Sequence, residues 1–376
     1  MVKLLFFGHD AHDAAVKRRI AAFGAAGADV TAFTMRRGPA FEPPWRNVDL
    51  GETRDAAFGQ RIAALIGARP VLRRYRQEVL GADIVYARNL DMLALARWAM
   101  DMSGSRASLV YECLDVHRFL SREDAIGAGL RAMEARLLAH VALIVVSSPA
   151  FVREYFQRRH VHAPPTVLIE NRLPAGFAYG ARPEAAAPKS DTTLRVGWFG
   201  NLRCARSLAL LLDLASRFPD RIELSLRGVP ARAAVGDFEA RVAGRENVQF
   251  GGRYSWPHDL AGIYREVDLV WAGDFHDANA NSKWLLPNRL YEGGYYGAPA
   301  LAPADSETGR WIDARGFGFT LAEPLEETLP GFVGALDYGR LAEVRARLLA
   351  APASTFLQPE DELASVIEAA MAGRHP

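Results

Sequence analysis

Short apolar runs alternate with amphipathic helical segments along nearly the whole sequence, and this alternation restricts the fold more than any single motif does. Residues Lys3 to Phe7 form a continuous apolar run of the kind expected for a buried parallel strand. A helix with an apolar stripe is predicted from about Asp13 to Ala26, and Val30 to Met35 supplies a second strand. This spacing makes a βαβ unit, and several more follow, so the sequence predicts an α/β fold with parallel sheets.

The alternation stops at one place and then restarts. Residues Leu173 to Thr193 hold several prolines and glycines in an alanine-rich, aperiodic stretch, and a new strand begins at Leu194. Because 376 residues also exceed one ordinary core, we expect more than one domain. The predicted divisions are a first domain over 1–173, a linker over 174–193, a second domain over 194–358, and a C-terminal helix over 359–376 that packs back towards the first domain. A proline-rich stretch, Arg36 to Glu52, is predicted to form a loop.

Composition and charge exclude several classes of protein. The formal net charge is +1, which argues against nucleic-acid binding in a chain with no recognised motif for it. Residues 1–190 carry 26 Lys and Arg against 19 Asp and Glu, so this half is the one expected to approach an anionic surface. Val141 to Val146, the longest apolar stretch, falls far short of the roughly 20 residues that span a bilayer, and we find no signal region. With two cysteines at no diagnostic spacing, we expect a cytoplasmic protein with reduced thiols, at most peripheral on the inner membrane.

The stretch from Asn279 to Ala304 carries the clearest candidate ligand site. Pro287 opens a predicted helix, because its missing N–H would be unpaired in the first turn anyway. Lys283 and Asn288 then fall near the positive end of that helix, where free backbone N–H groups can meet an anion. Glu292 falls about one turn further in. A cation and a helix dipole beside a carboxylate suit a ligand that is charged at one end and hydroxylated at the other, as a sugar nucleotide is.

The sequence PNRLYE at residues 287–292, followed by GAP at 297–299, resembles the donor-binding segment of GT-B glycosyltransferases. The likeness is greatest to family-4-like bacterial enzymes of succinoglycan-type exopolysaccharide biosynthesis. It implies two Rossmann-like βα domains that face each other across a cleft, with the acceptor on the first and a nucleoside diphosphate sugar on the second. It assigns Glu292 to the donor ribose. The polar residues before and at the start of the predicted helix are then expected to line the donor site; they are Asn281, Ser282, Lys283 and Asn288. Many relatives carry another Glu eight positions earlier, where this chain has Trp284, so inverting and retaining mechanisms both stay open.

A predicted strand end offers a second part of the donor site. Residues Val196 to Arg206 read VGWFGNLRCAR, in which the strand ends at Gly200 and Asn201, so that the backbone can approach a ligand closely. By resemblance, a basic pair here holds the donor diphosphate, and Arg203 and Arg206 occupy those positions. The planar fork of a guanidinium grips phosphate oxygens in two places and stabilises a departing nucleoside diphosphate. The alternative is that both are surface arginines at the start of a helix.

Two loops of the first domain hold candidate catalytic residues. His9 and Asp10 follow the first strand, and Asp115 and His117 follow the strand Leu109 to Leu114. Loops at the carboxyl ends of parallel strands are where open α/β sheets bind ligands. An inverting transfer needs a general base near the acceptor hydroxyl. We predict Asp115 in that role, with His117 as a substrate contact or alternative base and with His9 and Asp10 as second candidates; a cap or turn role is the alternative for each.

These residues and the resemblance predict a glycosyltransferase that moves a hexose from a nucleoside diphosphate sugar, with UDP as the expected nucleotide. The implied acceptor is a glycan, in particular one carried on a polyprenyl diphosphate, and no cofactor or metal is implied. A sugar-nucleotide epimerase of GT-B architecture and a non-catalytic nucleotide-sugar-binding protein are the alternatives. A nicotinamide-dependent enzyme is disfavoured because the first turn, from Gly8 to Asp13, lacks the spaced glycines of a dinucleotide site.

Two arginine-rich segments, Arg69 to Arg76 and Arg153 to Arg159, suggest contact with an anionic membrane surface. Solvated helix faces in a chain rich in arginine would give the same pattern. The sequence alone leaves both interpretations open.

Overall fold

The computed structural model describes residues 1–53, 58–116, 120, 122–160, 162–184, 193–277 and 281–373. The chain divides into two compact units, each with its own parallel sheet. Unit 1 comprises Met1–Glu170, Pro174–Gly176 and Pro359–Pro376, and unit 2 comprises Asn171–Leu173 and Phe177–Gln358.

The elements of the described residues alternate as the sequence predicts. The strands are β1 Lys3–Gly8, β2 Asp29–Arg36, β3 Asn47–Glu52, β4 Ile84–Arg88, β5 Ser108–Cys113, β6 Leu143–Val146, β7 Thr166–Leu168, β8 Leu194–Leu202, β9 Ile222–Pro230, β10 Val248–Phe250, β11 Leu269–Trp271, β12 Ala300–Pro303 and β13 Gly318–Leu321. The helices are α1 Ala14–Ala25, α2 Phe58–Arg74, α3 Arg76–Leu80, α4 Leu90–Ser103, α5 Ala125–Leu138, α6 Gln157–Arg159, α7 Ala205–Arg217, α8 Arg232–Val235, α9 Phe238–Val242, α10 Leu260–Arg265, α11 Asn281–Trp284, α12 Asn288–Tyr295, α13 Glu307–Arg315, α14 Leu325–Ala335, α15 Tyr338–Ala350 and α16 Glu362–Ala372. A π-helical segment, Phe151–Phe156, precedes α6, and a 3₁₀ turn, Ala353–Thr355, precedes α16.

The described strands of unit 1 form one parallel sheet in the order β3-β2-β1-β4-β5-β6-β7. The chain runs outwards from β1 to β3 and then returns to β4 on the other side of β1. The connections that leave β1 and β4 therefore diverge. Open parallel sheets bind ligands beyond the carboxyl ends of the strands at such a topological switch point.

Residues Asn47–Glu52 form the edge strand β3, so the prediction of a loop over Arg36 to Glu52 is wrong at its end. Val48 and Leu50 are buried, and the residues between and beside them are exposed or half-buried. This alternation fits a strand that covers the core on one face only. The three prolines of the preceding segment concealed it in the sequence.

Aromatic and aliphatic residues fill the core of unit 1. The rings of Phe6 and Phe23 both pack on Tyr86, with centroids 5.5 and 4.8 Å away. Helix α16 closes the same core with Leu363 and Val366, and burial of each of these side chains contributes about 1.5–3 kcal/mol. Ser108 Oγ also donates to Ala370 O at 2.6 Å. The last helix of the chain is thus part of the core of unit 1.

The described strands of unit 2 form a second parallel sheet in the order β10-β9-β8-β11-β12-β13. Its switch point lies between β8 and β11, which are hydrogen-bonded neighbours. Apolar residues cover both faces of this sheet, as expected for parallel strands that read as continuous apolar runs. The predicted α/β fold with parallel sheets is confirmed.

A search of the described residues finds no helix that is long and apolar enough to cross a membrane. The longest described helix, α2, has 17 residues and carries several arginines on exposed positions.

Candidate functional site

The loops that follow β8 and β11 are fastened together at the switch point of unit 2. Cys204 is the N-cap residue of α7, and its Sγ accepts hydrogen bonds from Ser207 N at 3.3 Å and from Phe275 N, in the second loop, at 3.2 Å. Ser207 Oγ donates to Gly273 O at 3.3 Å. Both loops therefore form one connected surface at the position where an open α/β sheet binds its ligand.

The backbone at the end of β8 is accessible because glycines occupy this position in both β8 and its neighbour β9. Gly200 has φ +106°, and its partner in β9, Gly228, has φ +133°. A Cβ on Gly228 would lie 1.8 Å from Gly200 O, so only glycine fits there. Beside Gly200 itself the nearest atoms to such a Cβ are Arg289 Nη1 at 3.7 Å and Tyr254 Oη at 4.0 Å. A ligand can approach the Gly200 backbone closely, and a guanidinium lies next to that position.

Arg289 was not selected in the sequence, yet its guanidinium lies at the end of β8. Its Nη1 donates to Phe199 O at 3.0 Å, and its buried Nε has no hydrogen-bond partner among the described residues. Arg289 is the second residue of α12, where a cation opposes the helix dipole at a cost of about 0.3–1 kcal/mol. A cation with a spare donor beside a helix N-terminus is arranged to meet an anion.

Arg203 reaches the same surface and faces a carboxylate. Its Nη2 lies 3.5 Å from Asp274 Oδ2, and Asp274 Oδ1 also accepts from His276 N at 2.8 Å and Ser282 Oγ at 3.1 Å. Burial raises the pKa of Asp274, but the charge of Arg203 and the His276 amide outweigh it, and the pKa is lowered. Asp274 is therefore ionised and partly neutralises the cations around it.

Arg206 differs from Arg203 in its partners. Its guanidinium makes ion pairs with Glu323 at 2.7 Å and Glu326 at 3.0 Å. These two carboxylates raise the pKa of Arg206, since each accepts hydrogen bonds from it. Because two acids take up its fork, Arg206 has few donors left for a ligand, whereas Arg289 keeps an unpaired Nε and Arg203 faces the carboxylate of Asp274.

The predicted polar donor contacts lie on α11 and at the start of α12. Ser282 Oγ accepts from Asp277 N at 2.9 Å, and Asn281 Nδ2 donates to Asp277 Oδ2 at 3.4 Å. Lys283 Nζ pairs with Asp305 Oδ2 at 2.6 Å on the protein surface. Asn288 is the first residue of α12, whose preceding residue, Pro287, provides no side-chain cap. Asn279 lies outside the described residues.

Glu292 is 4% exposed and hydrogen-bonded, which a solvated surface residue would not be. Tyr264 Oη donates to Oε2 at 2.7 Å, and Trp256 Nε1 donates to Oε1 at 3.3 Å. Burial raises the pKa of Tyr264 well above its usual value, and the charge of Glu292 adds to this effect. A carboxylate has about four acceptor sites, so two bonds leave capacity for further donors.

The candidate catalytic residues of unit 1 follow neighbouring strands. His9 Nδ1 contacts Asn89 Nδ2 at 3.3 Å, and its Nε2 lies 3.5 Å from Asp13 Oδ2. Asp10 accepts from the backbone N–H of His12 and Arg37, which ties the loop after β1 to the end of β2. Asp115 is exposed just after β5. His117 lies outside the described residues.

Asn89 has a backbone conformation that side-chain-bearing residues rarely adopt. Its φ of 75° and ψ of 160° fall in a region used almost only by glycine, at a cost of about 1–3 kcal/mol. Among the described residues it is the one non-glycine residue with positive φ. It follows β4 directly and precedes α4, so it lies at the switch point of unit 1 beside His9.

Sequence reasoning missed Arg289 and Asn89 for different reasons. Arg289 lies within the PNRLYE segment, and a cation in the first turn of a predicted helix is a signal that could have been read there. Asn89 gives no such signal, because positive φ is a property of the chain path and nothing in the surrounding sequence demands it.

Comparison with known proteins agrees with this architecture. The chain is 38% identical over 358 residues to the succinoglycan biosynthesis protein ExoL of Rhizobium meliloti, covering 93% of this chain and 88% of that protein. The crystal structure of Anabaena HepE, in complex with UDP and glucose, superposes with a TM-score of 0.70 at 16% identity and covers 98% of this chain and 99% of HepE. Sucrose-phosphate synthase from Thermosynechococcus elongatus gives 0.71 at 15% identity, with coverages of 97% and 98%. No family model matches the sequence.

The identity to ExoL over nearly the whole of both chains establishes the family, and the superpositions establish the fold. The PNRLYE resemblance had implied the same group of proteins. The chain belongs to the family of the succinoglycan biosynthesis protein ExoL, and it has the GT-B fold that it shares with HepE and sucrose-phosphate synthase.

Proposed function

We propose that this protein is a glycosyltransferase that transfers a hexose from a UDP-sugar to a lipid-linked glycan in exopolysaccharide assembly. The observation that carries the proposal is Arg289, beside the Gly200 backbone in the first turn of α12, together with Arg203, whose charge acts on Asp274 as that of Arg289 does. A diphosphate suits this arrangement, because two guanidinium groups and free helix N–H groups all favour its negative oxygens. The Anabaena HepE structure holds UDP and glucose, which supports this choice of donor.

In the proposed reaction the bond between the anomeric carbon and the β-phosphate oxygen of the donor breaks, and UDP leaves with the bonding electron pair. Arg203 and Arg289 stabilise the charge that develops on the leaving oxygen. The acceptor hydroxyl oxygen forms the new bond to the anomeric carbon. Glu292 holds the ribose hydroxyls, Asn281, Ser282, Lys283 and Asn288 line the donor site, and no cofactor is part of the proposal.

For an inverting transfer we assign the proton of the acceptor hydroxyl to Asp115. Its carboxylate is exposed at the carboxyl end of β5, where a substrate can reach it. His117 is proposed as a substrate contact close to it in sequence. His9 and Asp10 are the second candidates, and the Asp10 carboxylate accepts from the backbone amides of His12 and Arg37.

The proposal is tested by incubating the protein with a panel of UDP-hexoses and polyprenyl-diphosphate-linked saccharides. We expect free UDP and an extended lipid-linked glycan, and a loss of about 100-fold or more in kcat for Asp115→Asn, since general bases contribute 10²–10⁴-fold. An isomerised nucleotide sugar would identify an epimerase instead. No rise in melting temperature with saturating UDP would exclude a nucleotide-binding site altogether.

We further propose that unit 1 contacts anionic membrane through an arginine face on α2 and α3. This face comprises the exposed residues Ile62, Ile66, Arg69, Arg73, Arg74 and Arg76. Arg69 lies over the ring of Trp98, with its guanidinium carbon 5.1 Å from the ring centroid. Exposed isoleucines beside several arginines match the chemistry of an interfacial helix, which combines apolar insertion with attraction to acidic headgroups.

Replacing Arg73, Arg74 and Arg76 with glutamine is expected to weaken binding to phosphatidylglycerol vesicles roughly 100-fold, at about 1 kcal/mol for each charge. Co-sedimentation at low and at physiological salt measures the effect. The matched control is Arg232→Gln, an exposed arginine of unit 2. Equal sedimentation of wild type with neutral and anionic vesicles would contradict the proposal.

A further inference from the structure

Asn89 occupies the N-cap position of α4 but does not cap the helix with its side chain. It precedes α4 as the N-cap residue, where an asparagine side chain normally accepts a hydrogen bond from the first turn of the helix. Here the side chain makes no such bond. Its Nδ2 instead contacts His9 Nδ1 at 3.3 Å, and its Oδ1 is buried with no partner among the described residues. A strained backbone, an unused cap and an unpaired oxygen therefore coincide in one residue.

The contacts of His9 fix how the Asn89 amide is oriented. His9 Nε2 faces the carboxylate of Asp13, so in the neutral ring this nitrogen carries the proton and Nδ1 is the acceptor. Nδ1 then takes its hydrogen bond from Asn89 Nδ2, which leaves Oδ1 as the free end of the amide. Asp13 is itself held in place, because it caps α1 by accepting from Ala15 N and Val16 N. Asp13, His9 and Asn89 form a fixed series that ends in an unpaired acceptor.

This series lies where the sheet of unit 1 is expected to bind a ligand. His9 follows β1 and Asn89 follows β4, the two strands on either side of the switch point. Asn89 as a whole is half-buried, so part of the residue is accessible from this edge of the sheet.

We propose that Asn89 is a specificity-determining residue for the acceptor, whose Oδ1 accepts a hydrogen bond from a hydroxyl group of the acceptor sugar. This inference rests on the proposed function, since it supplies the acceptor contact of that same transfer. A hydroxyl is the ligand group that matches an uncharged, unpaired oxygen beside His9 and its partner carboxylate, Asp13. Strained residues of this kind persist where the surrounding structure holds them for function.

The decisive variant is Asn89→Gly, which keeps the backbone path and removes only the side chain. We expect its melting temperature to equal or exceed that of wild type, because glycine adopts this conformation without strain. Transfer to a polyprenyl-diphosphate-linked saccharide should fall 10- to 100-fold through a higher acceptor KM. The UDP-induced rise in melting temperature and the slow hydrolysis of the UDP-hexose by water should be unchanged.

The control is Asp337→Gly, which removes the N-cap of α15, where Asp337 accepts from Gly339 N at 2.8 Å. This variant should lower the melting temperature slightly and leave transfer unchanged. For Asn89→Gly, a lower melting temperature with full transfer would overturn the inference and mark Asn89 as a structural residue. Failure of wild type to bind UDP or to transfer would count against the proposed function instead, while the stability comparison would still test the strain argument.

Discussion

Arg289→Ala is expected to lower kcat/KM for the donor roughly 100- to 1,000-fold, because removal of one pre-arranged donor to a developing oxyanion has effects of that size. The guanidinium of Arg289 lies beside Gly200, and its Nε is buried without a partner among the described residues. Its position in the first turn of α12 opposes the helix dipole unless an anion is bound. Arg289 is therefore expected to contribute more free energy to the binding of the donor diphosphate than an exposed arginine would.

Arg206→Ala is the matched comparison. Both arginines come from segments that resemble a donor site, but Arg206 pairs with Glu323 and Glu326. We expect this variant to keep kcat/KM within about threefold of wild type, since exposed ion pairs contribute only about 0–1 kcal/mol. Arg203→Ala should fall between the two, because Arg203 is half-buried and its charge is balanced in part by the carboxylate of Asp274.

Steady-state kinetics with a UDP-hexose and calorimetric titration with UDP measure these differences. The affinity for UDP should fall with kcat/KM in Arg289→Ala, since UDP carries the same diphosphate. Arg289→Lys should recover only part of the loss, because lysine restores the charge but lacks the planar fork. A result in which Arg206→Ala abolishes UDP binding and Arg289→Ala does not would reverse the assignment of the two arginines.

The comparison of these arginines shows how far the sequence could predict the site. The strand that carries Gly200 near its end and the helix that begins after Pro287 were predictable, because glycine, proline and apolar periodicity act locally. The partners of Arg206 were not, since Glu323 and Glu326 are more than 100 residues away in sequence. Acids that are distant in sequence therefore decide which arginine has donors available for a ligand.

The same distinction applies to the fold. The alternation of strands and helices predicted both parallel sheets, because each buried parallel strand is a continuous apolar run. The edge strand β3 was missed, because it has only two buried side chains, Val48 and Leu50, and follows a proline-rich segment. The order of the strands, and hence the two switch points, came from the structure alone.

Glu292→Gln is expected to weaken UDP binding by about 10- to 100-fold, the range for loss of charge-assisted hydrogen bonds of about 1.5–3 kcal/mol. The carboxylate already accepts from Tyr264 and Trp256, and its remaining acceptor sites are the ones proposed to hold the ribose hydroxyls. The amide of glutamine keeps the shape but loses the charge and half of this acceptor capacity. The substitution should weaken the binding of UDP more than that of a nucleotide that lacks a ribose hydroxyl.

The ribose assignment is separated from a packing role by a second ligand. Wild type should bind 2′-deoxy-UDP or 3′-deoxy-UDP more weakly than UDP, whereas Glu292→Gln should bind UDP and the corresponding deoxy nucleotide almost equally. Tyr264→Phe is the control, since it removes a donor to Glu292 but leaves the carboxylate in place. It should lower stability by about 1–3 kcal/mol, as expected for a buried group left unpaired, while the preference for UDP over its deoxy analogue persists. If Glu292→Gln keeps that preference in full, the carboxylate serves to fasten α12 to α10 through Tyr264, and the ribose is held by other residues.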